Sequence, residues 1–196
     1  MKFAMPAAVL AGGASRRMGR PKAALPYGAA TLLEFQTERL ANLFEEVFVV
    51  VKDPPDFPVG PARVLRDGVP SHAALHGLLR ALEEAEDHVF VMAVDLPALS
   101  LELIRAIAER SSKTAAPVLL PRAGGVLQPL AAVWRREVLS LARERIARGL
   151  LSLHGLAEEA GAEVFSEEEW REMDPSGSSF LNMNTLEEYA AMRERA

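Results

Sequence analysis

Short continuous apolar runs alternate along the chain with longer stretches whose apolar residues return every three or four positions. Continuous runs suit strands covered on both faces, and the helical spacing suits the crossover helices that cover them. The first run, Pro6 to Ala11, stops at Gly12-Gly13. The second, Val47 to Val51, is apolar throughout and ends at Lys52-Asp53-Pro54-Pro55. The third, His88 to Val94, runs directly into Asp95-Leu96-Pro97, which leaves a carboxylate where a strand finishes. Shorter candidates are Arg63 to Leu65 and Pro117 to Leu120. Between them, Leu33, Leu40, Leu43 and Phe44 share one predicted helical face, and Leu75, Leu78, Leu79 and Leu82 another. Ser100 reads as an N-cap with Glu102 in the following turn, and Thr185 with Glu188 as a capping box for a last helix. Arg122 to Gly125 reads as a turn into the run Val126 to Trp134. The pattern predicts an α/β fold, a doubly wound and mostly parallel sheet in a single domain, with ligands bound outside the carboxyl ends of the strands.

Composition narrows the chemistry. The 196 residues contain no cysteine, which excludes disulfides, thiolate metal sites and thiol nucleophiles. Lys and Arg number 22 against 27 Asp and Glu, so no overall basic field exists to hold a nucleic-acid backbone. The start, Met1 to Pro6, leads straight into a strand pattern without a long apolar region or a small-residue cleavage site, and the expectation is a cytoplasmic protein.

The segment Leu10 to Lys22 carries three glycines and four cations, Arg16, Arg17, Arg20 and Lys22. Glycines let the backbone approach a ligand closely, and Arg and Lys neutralise phosphate oxygens. Cations this dense beside an apolar strand end repel one another unless an anion gathers them. The spacing fits neither the Walker pattern nor the Gly-x-Gly-x-x-Gly dinucleotide fingerprint. Asp95 suits either the cap of the helix beginning near Ser100 or a ligand of a hard cation, which needs one or two carboxylates besides phosphate and water oxygens.

Leu-Ala-Gly-Gly-Ala-Ser-Arg-Arg-Met-Gly-Arg-Pro-Lys closely resembles the signature loop of the molybdenum cofactor guanylyltransferases, within the wider nucleotidyltransferase group. Further pieces match in the same order: Asp67 before a helix containing Gly77, Asp95-Leu96-Pro97, Gln128 to Trp134, and Asn182 to Glu188. The resemblance spans nearly the whole chain. It implies one Rossmann-like nucleotidyltransferase domain over residues 1–196, with Mg2+ as cofactor and with GTP and molybdopterin as substrates. Molybdoenzymes or cofactor-delivery proteins are candidate partners.

The roles it implies are specific. Leu10, Ala11, Gly12, Gly13, Ser15 and Arg16 contact the nucleotide; Lys22 holds phosphates; Asp67 holds part of the nucleotide; Asp95 serves both nucleotide and magnesium. Arg16, Lys22 and Asp95 are the catalytic set. Where some members carry Asn near the guanine, after the second strand, this chain carries Lys52. The Gly12-Gly13 pair resembles the guanylyl branch rather than the Ala-Gly of the cytidylyl branch.

The implied reaction is attack by a phosphate oxygen of the acceptor on the α-phosphorus of GTP. A phosphate monoester is largely a dianion at neutral pH, since its second pKa is about 6, so no side-chain base is required. Asn182 and Asn184 are the candidate acceptor contacts, although an asparagine turn before Thr185 explains them equally well. A cytidylyltransferase for the same cofactor, a guanylyltransferase for another phosphorylated intermediate such as a corrinoid, and a non-catalytic nucleotide or cofactor carrier are the rival readings. His72 and His76, four apart on a predicted helix, lack a third ligand and read as surface or packing residues. Glu167-Glu168-Glu169 and Arg143-Glu144-Arg145 read as solvated faces, and Met183 and Met192 as core.

Overall fold

The computed structural model of the chain describes residues 1–12, 21–69, 71–183 and 185–193. Strands and helices alternate: β1 (Ala7–Leu10), the short hairpin β2 (Pro26–Tyr27) and β3 (Ala30–Thr31), α1 (Leu32–Ala41), β4 (Val47–Val51), β5 (Arg63–Arg66), α2 (Ala74–Glu84), β6 (His88–Ala93) and α3 (Leu101–Ser111). They continue with β7 (Val118–Ala123), β8 (Val126–Leu127), β9 (Ala131–Arg135), α4 (Leu139–Ala147), α5 (Leu153–Glu159), β10 (Glu163–Phe165), α6 (Glu167–Trp170) and α7 (Leu186–Arg193).

The main sheet runs β10-β7-β9-β6-β1-β4-β5. Its pairs are parallel except that β9 is antiparallel to both β6 and β7, while β8 forms a small antiparallel hairpin with the end of β7. From β1 the chain crosses through α1 to β4 on one side and later returns through α2 to β6 on the other. β1 is therefore the point where strand order reverses, and a crevice opens there at the carboxyl ends.

The period of two in each strand divides its side chains between two cores. Val9, Val49, Phe90, Met92 and Val133 pack with Leu32, Leu33 and Leu40 of α1 and with Leu103, Ile104 and Ile107 of α3. Phe48, Val50, Val89, Val91 and Trp134 pack on the opposite face with Leu75, Leu78 and Leu82 of α2 and with helices α4 and α5. Burial on both faces is why β1, β4 and β6 are apolar without alternation, whereas the edge strand β5 carries Arg63 and Arg66. Among the described residues, no helix is long and apolar enough to cross a membrane.

Trp134 is fully buried, and its indole N–H donates to the Pro129 carbonyl at 3.0 Å. Trp134→Ala opens a cavity and strips that carbonyl of its donor. We expect a stability loss of about 3–5 kcal/mol in urea unfolding; a loss below about 1 kcal/mol would contradict the packing described.

Caps form where the sequence places them. Ser100 accepts from the Leu103 N–H at 3.0 Å, and Thr185 and Glu188 exchange the two capping-box bonds. Several expectations need correction. α1 ends at Ala41, so Leu43 and Phe44 lie beyond it; they remain buried because Phe44 bridges to Phe3 and stacks on Phe90. The run Val126 to Trp134 is split into β8 and β9 by residues 128–130. Arg145 is buried against Glu159 rather than solvated, because α5 approaches α4 closely enough that a Cβ on Gly155 would strike its guanidinium.

Glu169 is likewise more than a solvated face. Bonds from the Ser166 hydroxyl and N–H, with the Arg110 guanidinium, hold its carboxyl at about 2. Met183 is core as expected, and the Met192 side chain lies outside the described residues.

Candidate active site

The strand ends around β1 deliver the polar residues to one crevice. In the ladder Leu10 lies between Val50 of β4 and Ala93 of β6. The pairing runs one step past the strands: the Ala11 N–H donates to the Val50 carbonyl at 2.9 Å, the Val94 N–H to Leu10 at 3.2 Å and the Asp67 N–H to Val51 at 3.0 Å. Asp67 is one of these bonded positions and Gly12, Lys52 and Asp95 follow the others directly, so their backbones are held by rigid elements. With Leu10, Ala11, Lys22 and His72 they line a cleft of about 220 Å³.

Lys22 arrives from the other side of the glycine-rich segment. It opens a single 3-10 turn, Lys22–Ala24, in which the Leu25 N–H donates to the Lys22 carbonyl at 3.0 Å. Ala23 and Leu25 are buried and anchor the turn, which leaves the lysine at the cleft. Its ammonium donates to Asp95 Oδ2 at 2.8 Å, and the two side chains are 17% and 24% exposed.

The Asp95 loop is fastened by α1. Gln36 Nε2 donates to the Val94 carbonyl at 3.4 Å, and the Arg39 guanidinium donates to the carbonyls of Pro97 and Leu99. Burial lowers the Arg39 pKa and raises that of its neighbour Tyr27, yet a guanidinium remains charged in this setting. The capping role considered for Asp95 is filled by Ser100, which leaves the carboxylate to the cleft.

A second ion pair lies deeper. Lys52 Nζ donates to Asp67 Oδ2 at 2.8 Å and to the Val69 carbonyl at 2.8 Å, while the Val69 N–H donates to Asp67 Oδ1 at 3.2 Å. The Lys52 and Asp67 side chains are 17% and 5% exposed. Gly12 passes directly over this pair: a Cβ there would sit 3.4 Å from Lys52 Cγ and 4.0 Å from Asp67 Oδ2. Gly77 performs a similar service on α2, where a Cβ would meet Leu10 at 3.4 Å.

The structure thus brings together Leu10, Ala11, Gly12, Lys22, Asp67 and Asp95 from the sequence-based set. Gly13, Ser15, Arg16 and Asn184 lie outside the described residues. Asn182 is exposed and does not line the cleft, but its neighbour Met183 donates its N–H to the Asp95 carbonyl at 3.0 Å, which ties this segment to the site.

His72 corrects an expectation. α2 begins only at Ala74, after an extended Ala73, so His72 precedes the helix and does not share a face with the buried His76. Its Nδ1 lies 3.4 Å from the Gly12 carbonyl. The signal available in the sequence was the loop position after Asp67, since ligand contacts gather on loops that leave strands.

Chemically, the cleft offers inward backbone at a glycine, two ammonium groups and two carboxylates at the switch point of a parallel sheet. Among the described residues no three His, Asp or Glu side chains form a group able to hold a metal ion, so a divalent ion here would draw its remaining ligands from substrate and water. That donor set fits magnesium, which commonly takes one or two carboxylates and completes its shell with phosphate oxygens and waters.

Known proteins share this architecture. Residues 7–164 match the family model of the MobA-like NTP transferase domain. A molybdenum cofactor guanylyltransferase from Syntrophotalea carbinolica is 31% identical over 196 residues, covering 100% of this chain and 93% of that protein. Molybdopterin-guanine dinucleotide biosynthesis protein A from Archaeoglobus fulgidus superposes with a TM-score of 0.83 at 22% identity, over 97% of this chain and 98% of that one. 2-C-methyl-D-erythritol 4-phosphate cytidylyltransferase from Thermus thermophilus superposes with a TM-score of 0.70 at 19% identity, over 100% and 98%. At these identities the two structures establish the fold alone.

Proposed function

The chain belongs to the MobA-like NTP transferase family, and we propose that it transfers the guanylyl group of GTP to the terminal phosphate of molybdenum-bound molybdopterin. The products are the molybdopterin guanine dinucleotide cofactor and pyrophosphate. The observation that carries the reading is the convergence of Leu10 to Gly12, Lys22, Asp67 and Asp95 on one cleft at the carboxyl ends of β1, β4 and β6. We take residues 1–196 as one catalytic domain.

In the reaction an acceptor phosphate oxygen attacks the α-phosphorus in line. A new P–O bond forms, the bond from the α-phosphorus to the oxygen bridging it to the β-phosphorus breaks, and pyrophosphate leaves with that electron pair. The attacking oxygen is already anionic, so the protein needs to position two anions and offset their repulsion. The backbone at Leu10 to Gly12 holds the nucleotide, and Gly12 lets it approach Asp67, which receives the base. Lys22 moves from Asp95 to the phosphates and neutralises them. Asp95, released, would hold Mg2+ together with phosphate oxygens. The ion supplies charge neutralisation on the phosphates and a template for their orientation. Arg16 adds a further cation, Ser15 and Gly13 further nucleotide contacts, and Asn182 and Asn184 hold the acceptor.

The test is a transfer assay with GTP labelled at the α-phosphorus, Mg2+ and molybdenum-loaded molybdopterin. We expect label in a dinucleotide product, stoichiometric pyrophosphate, loss of both on EDTA addition and restoration by excess Mg2+. CTP in place of GTP should give little product. Label transferred from CTP but not GTP would establish the cytidylyl alternative, and no transfer from either would overturn the reading.

A further inference from the structure

Lys52 stands beside the carboxylate assigned to the base, with its charge pointed at the same space. An ammonium carries three N–H donors, and among the described residues Asp67 Oδ2 and the Val69 carbonyl take two of them, each at 2.8 Å. The third is left for the cleft, which Lys52 lines. Asp67 is complementary. An ionised carboxylate has about four lone-pair sites, and Lys52 Nζ and the Val69 N–H fill one on each oxygen. Each oxygen therefore keeps an acceptor position, and at 5% exposure that capacity is directed into the cleft rather than into bulk water.

We propose that the Lys52–Asp67 pair is the base-reading device of this site, with Lys52 as a specificity-determining residue that donates to guanine O6 while Asp67 accepts from N1–H and N2–H. The inference rests on the guanylyl reading above and adds to it the group that selects the base. Guanine alone among the four bases presents a carbonyl beside two adjacent N–H donors, so it alone satisfies the ammonium and both carboxylate oxygens together. Adenine presents one donor and one acceptor to the same pair, cytosine one donor beside two acceptors, and uracil one donor between two acceptors. Each leaves part of a largely buried pair unsatisfied, which is how a hydrogen-bonding site rejects an analogue. Gly12 suits this arrangement, because a Cβ there would already touch Lys52 Cγ and a larger side chain would extend over the pair. The van der Waals wall is then backbone, and selection falls to the charges.

The experiment measures binding of Mg2+ complexes of GTP, 6-thio-GTP, ITP, ATP and CTP to the full chain and to Lys52→Met, with melting temperature recorded alongside. 6-Thio-GTP replaces O6 with a poor acceptor and leaves N1–H and N2–H in place. The full chain should bind GTP about 10–100-fold more tightly than 6-thio-GTP or ATP, the range for one charge-assisted hydrogen bond in a screened site. In Lys52→Met the GTP to 6-thio-GTP ratio should collapse to within about threefold, whereas the loss of affinity for ITP relative to GTP, which reports the N2 amine at Asp67, should persist. Lys52→Arg, which keeps a cationic donor, should retain most of the discrimination. A full chain that prefers CTP would remove the guanylyl reading itself. A full chain that prefers GTP but shows no 6-thio effect, or a folded Lys52→Met with an unchanged ratio, would overturn only the role given to Lys52. Because the analogue series on the unaltered chain is decisive alone, failure of a variant to fold does not protect the proposal.

Discussion

Asp95→Asn is expected to lower the rate of guanylyl transfer by about a thousandfold while leaving the fold intact. The substitution keeps the shape of the side chain and the backbone carbonyl that accepts the Met183 N–H, but removes the charge that holds Lys22 and would hold the metal. The pair it breaks is partly solvated, so we expect a stability change of only about 1 kcal/mol. A steady-state assay with saturating GTP and Mg2+, run beside thermal unfolding, separates the two effects. Turnover within tenfold of the unaltered chain would remove Asp95 from the catalytic set. A collapse in melting temperature would make it a structural residue instead.

Lys22→Met should have two effects of opposite sign. Transfer should slow by at least about a hundredfold, because the cation proposed to meet the phosphates is lost from the cleft. Divalent-ion binding to the nucleotide-free protein should tighten, by about tenfold, because the ammonium that sits 2.8 Å from Asp95 no longer competes for that carboxylate. Titration with Mn2+ in the absence of nucleotide measures the second effect directly. If ion affinity is unchanged and turnover falls less than threefold, the ion pair is a bystander. On the proposed reading, the Lys22–Asp95 contact would keep both charges paired until a phosphate and a metal replace each partner.

Much of this site is legible in the order of the residues alone, for a definite physical reason. A strand covered on both faces must be apolar throughout, so Val47 to Val51 and His88 to Ala93 announce themselves, and the first charged residue after each is delivered to the carboxyl-end crevice. That logic locates Asp95 without any contact information. The resemblance assigns the remaining roles, and of those that lie within the described residues the cleft collects all but Asn182.

What the sequence does not disclose depends on strand neighbours. Lys52 and Asp67 are 15 residues apart, and they meet because β4 and β5 pair in parallel with Val51 opposite Arg66. Sequence patterning leaves that register open, so Lys52 reads only as a departure from the family. The antiparallel direction of β9 is hidden similarly, since a fully buried strand reads the same in either sense. For His72 the difference is two residues of helix boundary, which is enough to move a side chain from a helical face into the cleft. Arg145 escapes because its burial follows from the absence of a side chain at Gly155 on another helix.

A crystal of the chain grown with Mg2+ and a non-hydrolysable GTP analogue examines the central claim most directly. We expect the guanine over Lys52 and Asp67, the ammonium of Lys22 moved onto the phosphates, and a metal ion between those phosphates and Asp95. Nucleotide density elsewhere on the surface, or an unbroken Lys22–Asp95 contact beneath a bound analogue, would contradict it.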